Sequence, residues 1–281
     1  MNLDLIRKDF PILETQVNGH QIVYFDNGAT TQRPLPVVNA VVDYVTHQNG
    51  NPHRGAHIFA ISASEAYDTS KEVVRDFIHA RSEKEIIYTR NTTESLNLVS
   101  RSYGETHLKK GDHILITIAE HHSNLVTWQR AAEKTGAVLD YIYIDKETGH
   151  FPEEELKKID DPRVKILAFA QVSNVLGVEF DPKPLIKRAH AHGAVVVLDG
   201  AQSTPHKQID VQDLDCDFFA FSGHKMCSMG GIGVLYAKEE LLDEMEPFLM
   251  GGDMIETVEE QTTTFAELPA KFEAGTQYVE G

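Results

Sequence analysis

Ala194-Val195-Val196-Val197-Leu198, followed at once by Asp199-Gly200-Ala201-Gln202-Ser203, is a short β-rich apolar run that stops on a carboxylate and a turn. Directly upstream, Pro182–His192 has helical spacing and closes on His192-Gly193, where a glycine can take the left-handed conformation that ends a helix. Helix, glycine turn, apolar strand and polar strand end together make one βαβ repeat unit. The same rhythm recurs through most of the chain. Strands are expected at Glu85–Thr89, His113–Ile118, Val138–Ile144, Lys165–Gln171, Ala194–Leu198, Asp217–Phe221 and Gly233–Ala237. Helices are expected at Pro34–His47, Ser64–His79, Thr93–Thr106, Asn124–Lys134 and Pro182–His192. This alternation predicts a mainly parallel sheet. The stretch Glu256–Thr264 lacks periodicity and reads as an exposed loop.

Composition narrows the function. The 281 residues are 41% hydrophobic, enough for a sizeable core without disulfide or metal staples. Lys+Arg 26 against Asp+Glu 43 gives a net charge of −17, which repels nucleic-acid backbones and anionic membrane surfaces, so neither is expected as a partner. The N-terminal Met1–Phe10 stretch is interrupted by charges, and no segment approaches the roughly 20 apolar residues of a membrane span. The two cysteines, Cys216 and Cys227, have neither CxxC spacing nor a disulfide framework, which fits a reducing cytoplasm. Both read as packing residues.

In an open parallel sheet, ligands gather at the carboxyl ends of the strands. Five strand ends here carry polar residues. Asn91-Thr92-Thr93-Glu94 is a helix cap with Glu at the third helical position, and also a seat for a phosphate. Glu120-His121-His122 offers an imidazole that can stack on a ring, and adjacent histidines on an extended segment point apart, so no metal site is expected. Asn174 stands in a turn among apolar residues. Asp199 is costly to bury without a partner, and a protonated pyridine nitrogen is one that keeps it ionised; an Asp that only turns the chain at Gly200 is the plainer alternative. Ser222-Gly223-His224-Lys225 places an amine beside two phosphate-binding side chains. In that order, at successive strand ends, these groups describe pyridoxal phosphate.

The chain resembles the cysteine desulfurases of class V of the aminotransferases, the SUF-type branch in particular. The matching segments are Tyr24–Pro34, His53-Arg54-Gly55, Thr92-Thr93-Glu94, Glu120-His121-His122, Ser173–Gly177, Asp199-Gly200-Ala201-Gln202, Ser222-Gly223-His224-Lys225 and Phe272–Thr276. The resemblance implies an α/β fold of PLP-dependent transferase type I: a mainly parallel central sheet with helices on both faces, residues 1–20 as an N-terminal segment and 21–281 as the cofactor-binding large domain. It also implies that the family's small C-terminal domain, with its persulfide-forming cysteine and substrate-binding arginine, lies beyond Gly281 and is absent from this chain. Lys225 would carry the cofactor as a Schiff base, and His121 would stack on the ring and assist proton transfer. Asp199 would pair with the ring nitrogen and Gln202 with the phenolic oxygen. Thr92, Thr93, Ser222 and His224 would hold the phosphate, with Thr276 reaching in from the second subunit of a homodimer. Asn174 and His53 would meet the substrate.

The activity so implied converts L-cysteine to L-alanine and passes sulfur as a persulfide to a SUF-type acceptor protein for iron–sulfur cluster assembly. A selenocysteine lyase, another class V transaminase and a non-catalytic cofactor-binding or dimerising form stay open. The family often has Gly-Pro-Thr-Gly after the lysine, where this chain has Ser228-Met229-Gly230-Gly231.

Overall fold

A computed structural model describes residues 2–281. Its centre is a seven-stranded sheet: β1 (Ile86–Thr89), β2 (His113–Thr117), β3 (Val138–Ile142), β4 (Val164–Ala170), β5 (Val195–Asp199), β6 (Phe218–Ser222) and β7 (Gly233–Ala237). The spatial order is β1-β7-β6-β5-β4-β2-β3. β2 to β6 run parallel, whereas β7 pairs antiparallel with both β6 and β1. All seven expected strands are present, each within two residues of its expected ends.

The reason lies in two-sided burial. Leu167, Phe169, Val196, Leu198, Phe219 and Phe221 enter one core layer. Their neighbours Ile166, Ala168, Val197, Phe218 and Ala220 enter the other. A strand apolar at every position is the signature of a sheet covered on both faces. Ile78, from helix α1 (Ile58–Ile78), packs in the first layer. So do Leu185, Ile186 and Ala189 of helix α4 (Pro182–Ala191). The second layer is filled by Leu96 and Leu98 of α2 (Thr92–Leu98) and by Trp128 and Ala131 of α3 (Val126–Thr135). Gly193 adopts the left-handed conformation at the end of α4 that the sequence predicts, and Gly136 does the same at the end of α3.

Two expectations change. The Glu256–Thr264 stretch is a β-hairpin, Ile255–Val258 paired with Thr263–Phe265, with Thr257 and Thr264 hydroxyls 2.6 Å apart. It is largely exposed, so no buried face imposes the alternation that marks a strand in sequence. Helix α1 begins six residues before Ser64, because exposed Ile58, Phe59 and Ile61 blur its amphipathic pattern. Residues 1–20 are not featureless either: they include a helix, Leu3–Lys8, and one strand and part of another of the small ribbon Gln16–Val17 and His20–Gln21. Among the described residues no helix is long and apolar enough to cross a membrane.

Gly233 opens β7 where it passes the cap of α2, and a Cβ there would sit 2.5 to 2.8 Å from Asn91 backbone atoms. Two backbones leave no flexible group to yield. Gly233→Ala is therefore expected to lower unfolding free energy by about 1–3 kcal/mol, as overpacking does. Urea denaturation of the two proteins, compared by midpoint at equal slope, measures it.

Candidate active site

The chain runs outward from β2 to β3, then returns to the other side of β2 to build β4, β5 and β6. The loops after β2 and β4 therefore diverge, leaving a crevice at the carboxyl ends of the strands, where open sheets bind ligands. A cavity of about 740 Å³ occupies it. Thr92, Thr93, His121, Asn174, Asp199, Gln202, Ser222, His224 and Lys225 all line it, nine residues drawn from five strand ends. His53 and Thr276 do not. His53 is exposed ahead of α1, its Nε2 3.0 Å from Asp68 Oδ1. Thr276 lines a second cavity of about 430 Å³, which shares Arg90 and Gly231 with the first.

One end of the cavity is built to hold an anion. Asn91 caps α2 by accepting from Glu94 N at 3.0 Å, and Glu94 Oε2 accepts from Arg90 N at 2.5 Å. Reciprocal capping fixes the first turn. Ser222 Oγ accepts from Thr92 N at 2.8 Å and lies 2.6 Å from Thr92 Oγ1, tying β6 to α2. The Thr93 N–H has no partner among the described residues and opens on the cavity at the positive end of the helix.

The same cavity holds a carboxylate. Asp199 is buried; one oxygen accepts from Ala201 N at 2.9 Å, its only side-chain hydrogen bond among the described residues. Burial raises its pKa, opposed by that N–H and by the Lys225 and His121 charges. A cation-bearing ring edge at the free oxygen would relieve the same penalty. Gln202 Nε2 meanwhile donates to Gly28 O at 2.7 Å, which orients its amide and leaves a second N–H for a ligand.

Lys225 ends a one-turn helix, Gly223–Lys225, directly after β6. The turn is clamped by a segment nearly 200 residues earlier. Thr31 N, Thr30 Oγ1 and Thr31 Oγ1 all donate to His224 O, at 2.9, 3.1 and 3.0 Å. Thr31 Oγ1 also accepts from Cys227 N at 2.8 Å, and Arg33 Nε donates to Ser228 O at 2.9 Å. Burial lowers the pKa of Lys225, with Asp199 pulling it back up. That favours the neutral amine a nucleophile needs.

His121 has a defined tautomer. Ser123 N donates to its Nδ1 at 3.1 Å, so the neutral ring carries its proton on Nε2. Burial lowers its pKa, which favours the neutral ring. Asn174 stands in a turn that Ser173, not Asn174, holds: Ser173 Oγ accepts from Val175 N and Leu176 N at 3.4 and 3.3 Å. The Asn174 amide makes no hydrogen bond within the described residues and is left to the cavity. A helix start with a free N–H, an amine and a buried carboxylate, all lining one cavity, fit the pyridoxal phosphate that the strand-end order implies.

Glu120 escapes a reading based on residue type, because a Glu beside two histidines looks like solvated loop. Its carboxyl turns inward and accepts from Thr117 Oγ1, from Asn124 Nδ2 at 2.6 Å and from Ala170 N at 3.1 Å. Asn124 in turn accepts from Trp128 Nε1 at 2.8 Å. Even against these three donors, burial pushes the Glu120 pKa up to about 8. The only hint in the sequence is Trp128, four residues beyond Asn124, which needs a buried acceptor. Phe25 and Gly28 also line the cavity and lie within the resembling segment, though residue chemistry alone does not select them.

A carboxyl whose pKa is higher folded than unfolded contributes no penalty below the unfolded value. As pH rises towards the folded value, the unfolded chain alone gives up its proton, and stability falls. Wild type should therefore lose stability relative to Glu120→Gln between about pH 5 and about pH 8, read as the difference between their urea-unfolding free energies across that range. Parallel curves for the two proteins would mean that Glu120 is ionised throughout.

Comparison with known proteins follows the same lines. Residues 23–281 match the family model "Aminotransferase class-V". The chain is 48% identical over 281 residues to a probable cysteine desulfurase of Halalkalibacterium halodurans, covering all of this chain and 69% of that protein. It is 48% identical over 271 residues to a cysteine desulfurase of Synechococcus elongatus, covering 96% of this chain and 43% of the other. Against a probable cysteine desulfurase of Synechocystis, 47% identity covers 96% and 64%. The chain thus spans between under half and about two thirds of these relatives. Among solved structures, the apo cysteine desulfurase of Thermococcus onnurineus superposes with a TM-score of 0.91 at 41% identity, over 99% of this chain and 67% of that one. The cysteine desulfurase CsdA of Escherichia coli gives 0.88 at 38%, over 100% and 69%. The chain belongs to the class V aminotransferase family, among the cysteine desulfurases.

Proposed function

We propose that this chain binds pyridoxal phosphate and serves the desulfuration of L-cysteine to L-alanine, with the sulfur leaving as a persulfide on an acceptor thiol. The observation that carries the reading is the single cavity in which Lys225, Asp199 and the Thr93 N–H meet. In the same reading the protein is a cytoplasmic homodimer that hands sulfur to a SUF-type acceptor for iron–sulfur cluster assembly. Residues 21–281 form the cofactor-binding domain and 1–20 an accessory segment.

Bound in this cavity, the cofactor's ring would withdraw electron density from the substrate Cα and make its proton acidic. The chain's own groups do the rest. Thr92, Thr93, Ser222 and His224 would hold the phosphate, Asp199 would accept the ring N–H, and Gln202 would donate to the phenolic oxygen. Lys225 would hold the cofactor at its aldehyde, and its Nζ, whose pKa is lowered by burial, would take the substrate Cα proton. His121, neutral with its proton on Nε2, would stack on the ring and could give that proton away. Asn174 and His53 contact the substrate, His53 from a position outside this chain's own cavity. A thiolate would attack the substrate sulfur, an S–S bond would form as the S–Cβ bond breaks, its electron pair would be protonated at Cβ, and the proton taken from Cα would be returned to give alanine.

Neither cysteine of the chain is assigned as that thiolate. Cys216 is fully buried and its thiol pKa is pushed up by burial. Cys227 is half-buried and lines not the active-site cavity but a neighbouring one of about 700 Å³, which shares Phe25 and Lys225 with it.

Borohydride treatment of the purified protein followed by peptide mapping should find a pyridoxyl adduct on Lys225 and none in Lys225→Ala. With L-cysteine and a reductant, alanine formation should fall at least about 100-fold in Lys225→Ala, the size of effect expected for loss of a general base. Asp199→Asn should retain the adduct yet slow alanine formation. A protein that takes up no pyridoxal phosphate, or takes it up equally well without Lys225, would end this reading.

A further inference from the structure

Outside the cavity the most unusual buried group is an ammonium. Lys71 on α1 is 4% exposed, and its ion-pair partner Glu273 is 8% exposed. Lys71 Nζ also donates to Ile86 O of β1 at 3.0 Å, and lies 5.4 and 5.3 Å from the ring centroids of Tyr67 and Tyr88. Burial lowers its pKa, opposed chiefly by the Glu273 charge. A buried ion pair is often no more stabilising than apolar side chains of the same volume. Its distinctive property is direction.

That direction bears on one turn. Gln277 Nε2 donates to Glu273 O at 2.6 Å and to Gly275 O at 3.0 Å, closing the turn on itself. Tyr67 OH donates to Gln277 Oε1 at 3.4 Å, and Gly275 N donates to Gly252 O at 2.9 Å. Tyr67 and Lys71 are four residues apart on one face of α1, so a single helix grips both ends of the turn, Glu273 and Gln277. Gly275 takes φ +88°, which a side chain would resist. Between these anchors stands Thr276, with no hydrogen bond of its own among the described residues. It faces the smaller cavity, whose wall of Arg90 and Gly231 is shared with the phosphate end of the larger one.

We propose that the Lys71–Glu273 pair, with Tyr67, is a positioning device that presents Thr276 to the cofactor phosphate of a second copy of this chain. The proposal rests on the cofactor and homodimer reading given above. It makes the phosphate contact, and not the ring contacts, dependent on a group buried away from the site.

The test compares pyridoxal phosphate with pyridoxal, which lacks the phosphate, by titrating each into cofactor-free protein and following the absorbance of the bound ring. Lys71→Met leaves a buried carboxylate unpaired and can unfold the protein, so Lys71→Met/Glu273→Leu, which removes both charges, is measured beside it. In whichever variant retains wild-type circular dichroism, Kd for pyridoxal phosphate should rise tenfold or more while Kd for pyridoxal stays within twofold. A folded double variant that keeps the wild-type preference for the phosphorylated form overturns the proposal and leaves the cofactor reading intact. Equal affinity for both forms in wild type would sink both together.

Discussion

Everything in the site hangs on the register between β4, β5 and β6. Ala170 stands opposite Asp199, and Asp199 opposite Ala220, with Gln171 N donating to Asp199 O at 3.0 Å and Gly200 N to Ala220 O at 2.8 Å. The ladder cannot slip by one residue, because that would exchange Val196 and Leu198, buried in one core layer, with Val197, buried in the other. Gly200 sharpens the constraint: a Cβ there would collide with the Phe219 ring, so the chain turns away from the sheet directly after the carboxylate. The acid is thus placed by the core, and no loop has to find it.

Lys225 is placed by a different means. It follows β6 but lies on a turn, and a turn has no core to hold it. The support comes from Thr30, Thr31 and Arg33, which satisfy the His224 and Ser228 carbonyls and the Cys227 N–H. Cys227 takes φ +62°, an unfavourable conformation for a residue with a side chain, and it persists because its neighbours are over-determined by these bonds. The Ser228-Met229-Gly230-Gly231 sequence therefore keeps a defined lysine turn although it departs from the family's usual Gly-Pro-Thr-Gly. Ser228 Oγ itself donates to Gly281 O at 2.9 Å.

How far the sequence could be read follows from these two means of support. Strands buried on both faces are nearly uniform apolar runs, so all seven were legible, and so were the polar residues that follow them. The Asn91 cap was legible because its partner Glu94 is three residues away. What escaped is whatever depends on distant pairing: the bond from Gln202 to Gly28, the inward turn of Glu120, the Lys71–Glu273 pair spanning some 200 residues. The exposed hairpin Ile255–Phe265 escaped for the opposite reason, since it has no buried face to leave a pattern. His53 and Thr276 were selected by resemblance, and both lie outside the cavity of their own chain, where neither strand-end logic nor local spacing would have put them.

The net charge of −17 contrasts with a site for an anionic phosphate, and the resolution is one of distance. At physiological ionic strength, exposed charges are screened over about 8 Å, so carboxylates scattered on the far surface contribute little inside a crevice. The crevice itself is lined by Thr92, Thr93, Ser222, His224 and Lys225, whose N–H, hydroxyl, imidazole and amine groups can donate to a phosphate. The carboxylates that do line the crevice are Asp26 and Asp199, and a cationic ring edge would answer the buried one, Asp199. A polyanion tracking along the surface is repelled by the net negative charge, whereas a single phosphate in the crevice has the donors of Thr92, Thr93, Ser222, His224 and Lys225 in its lining. The same composition therefore disfavours nucleic acid and leaves room for a small phosphorylated ring.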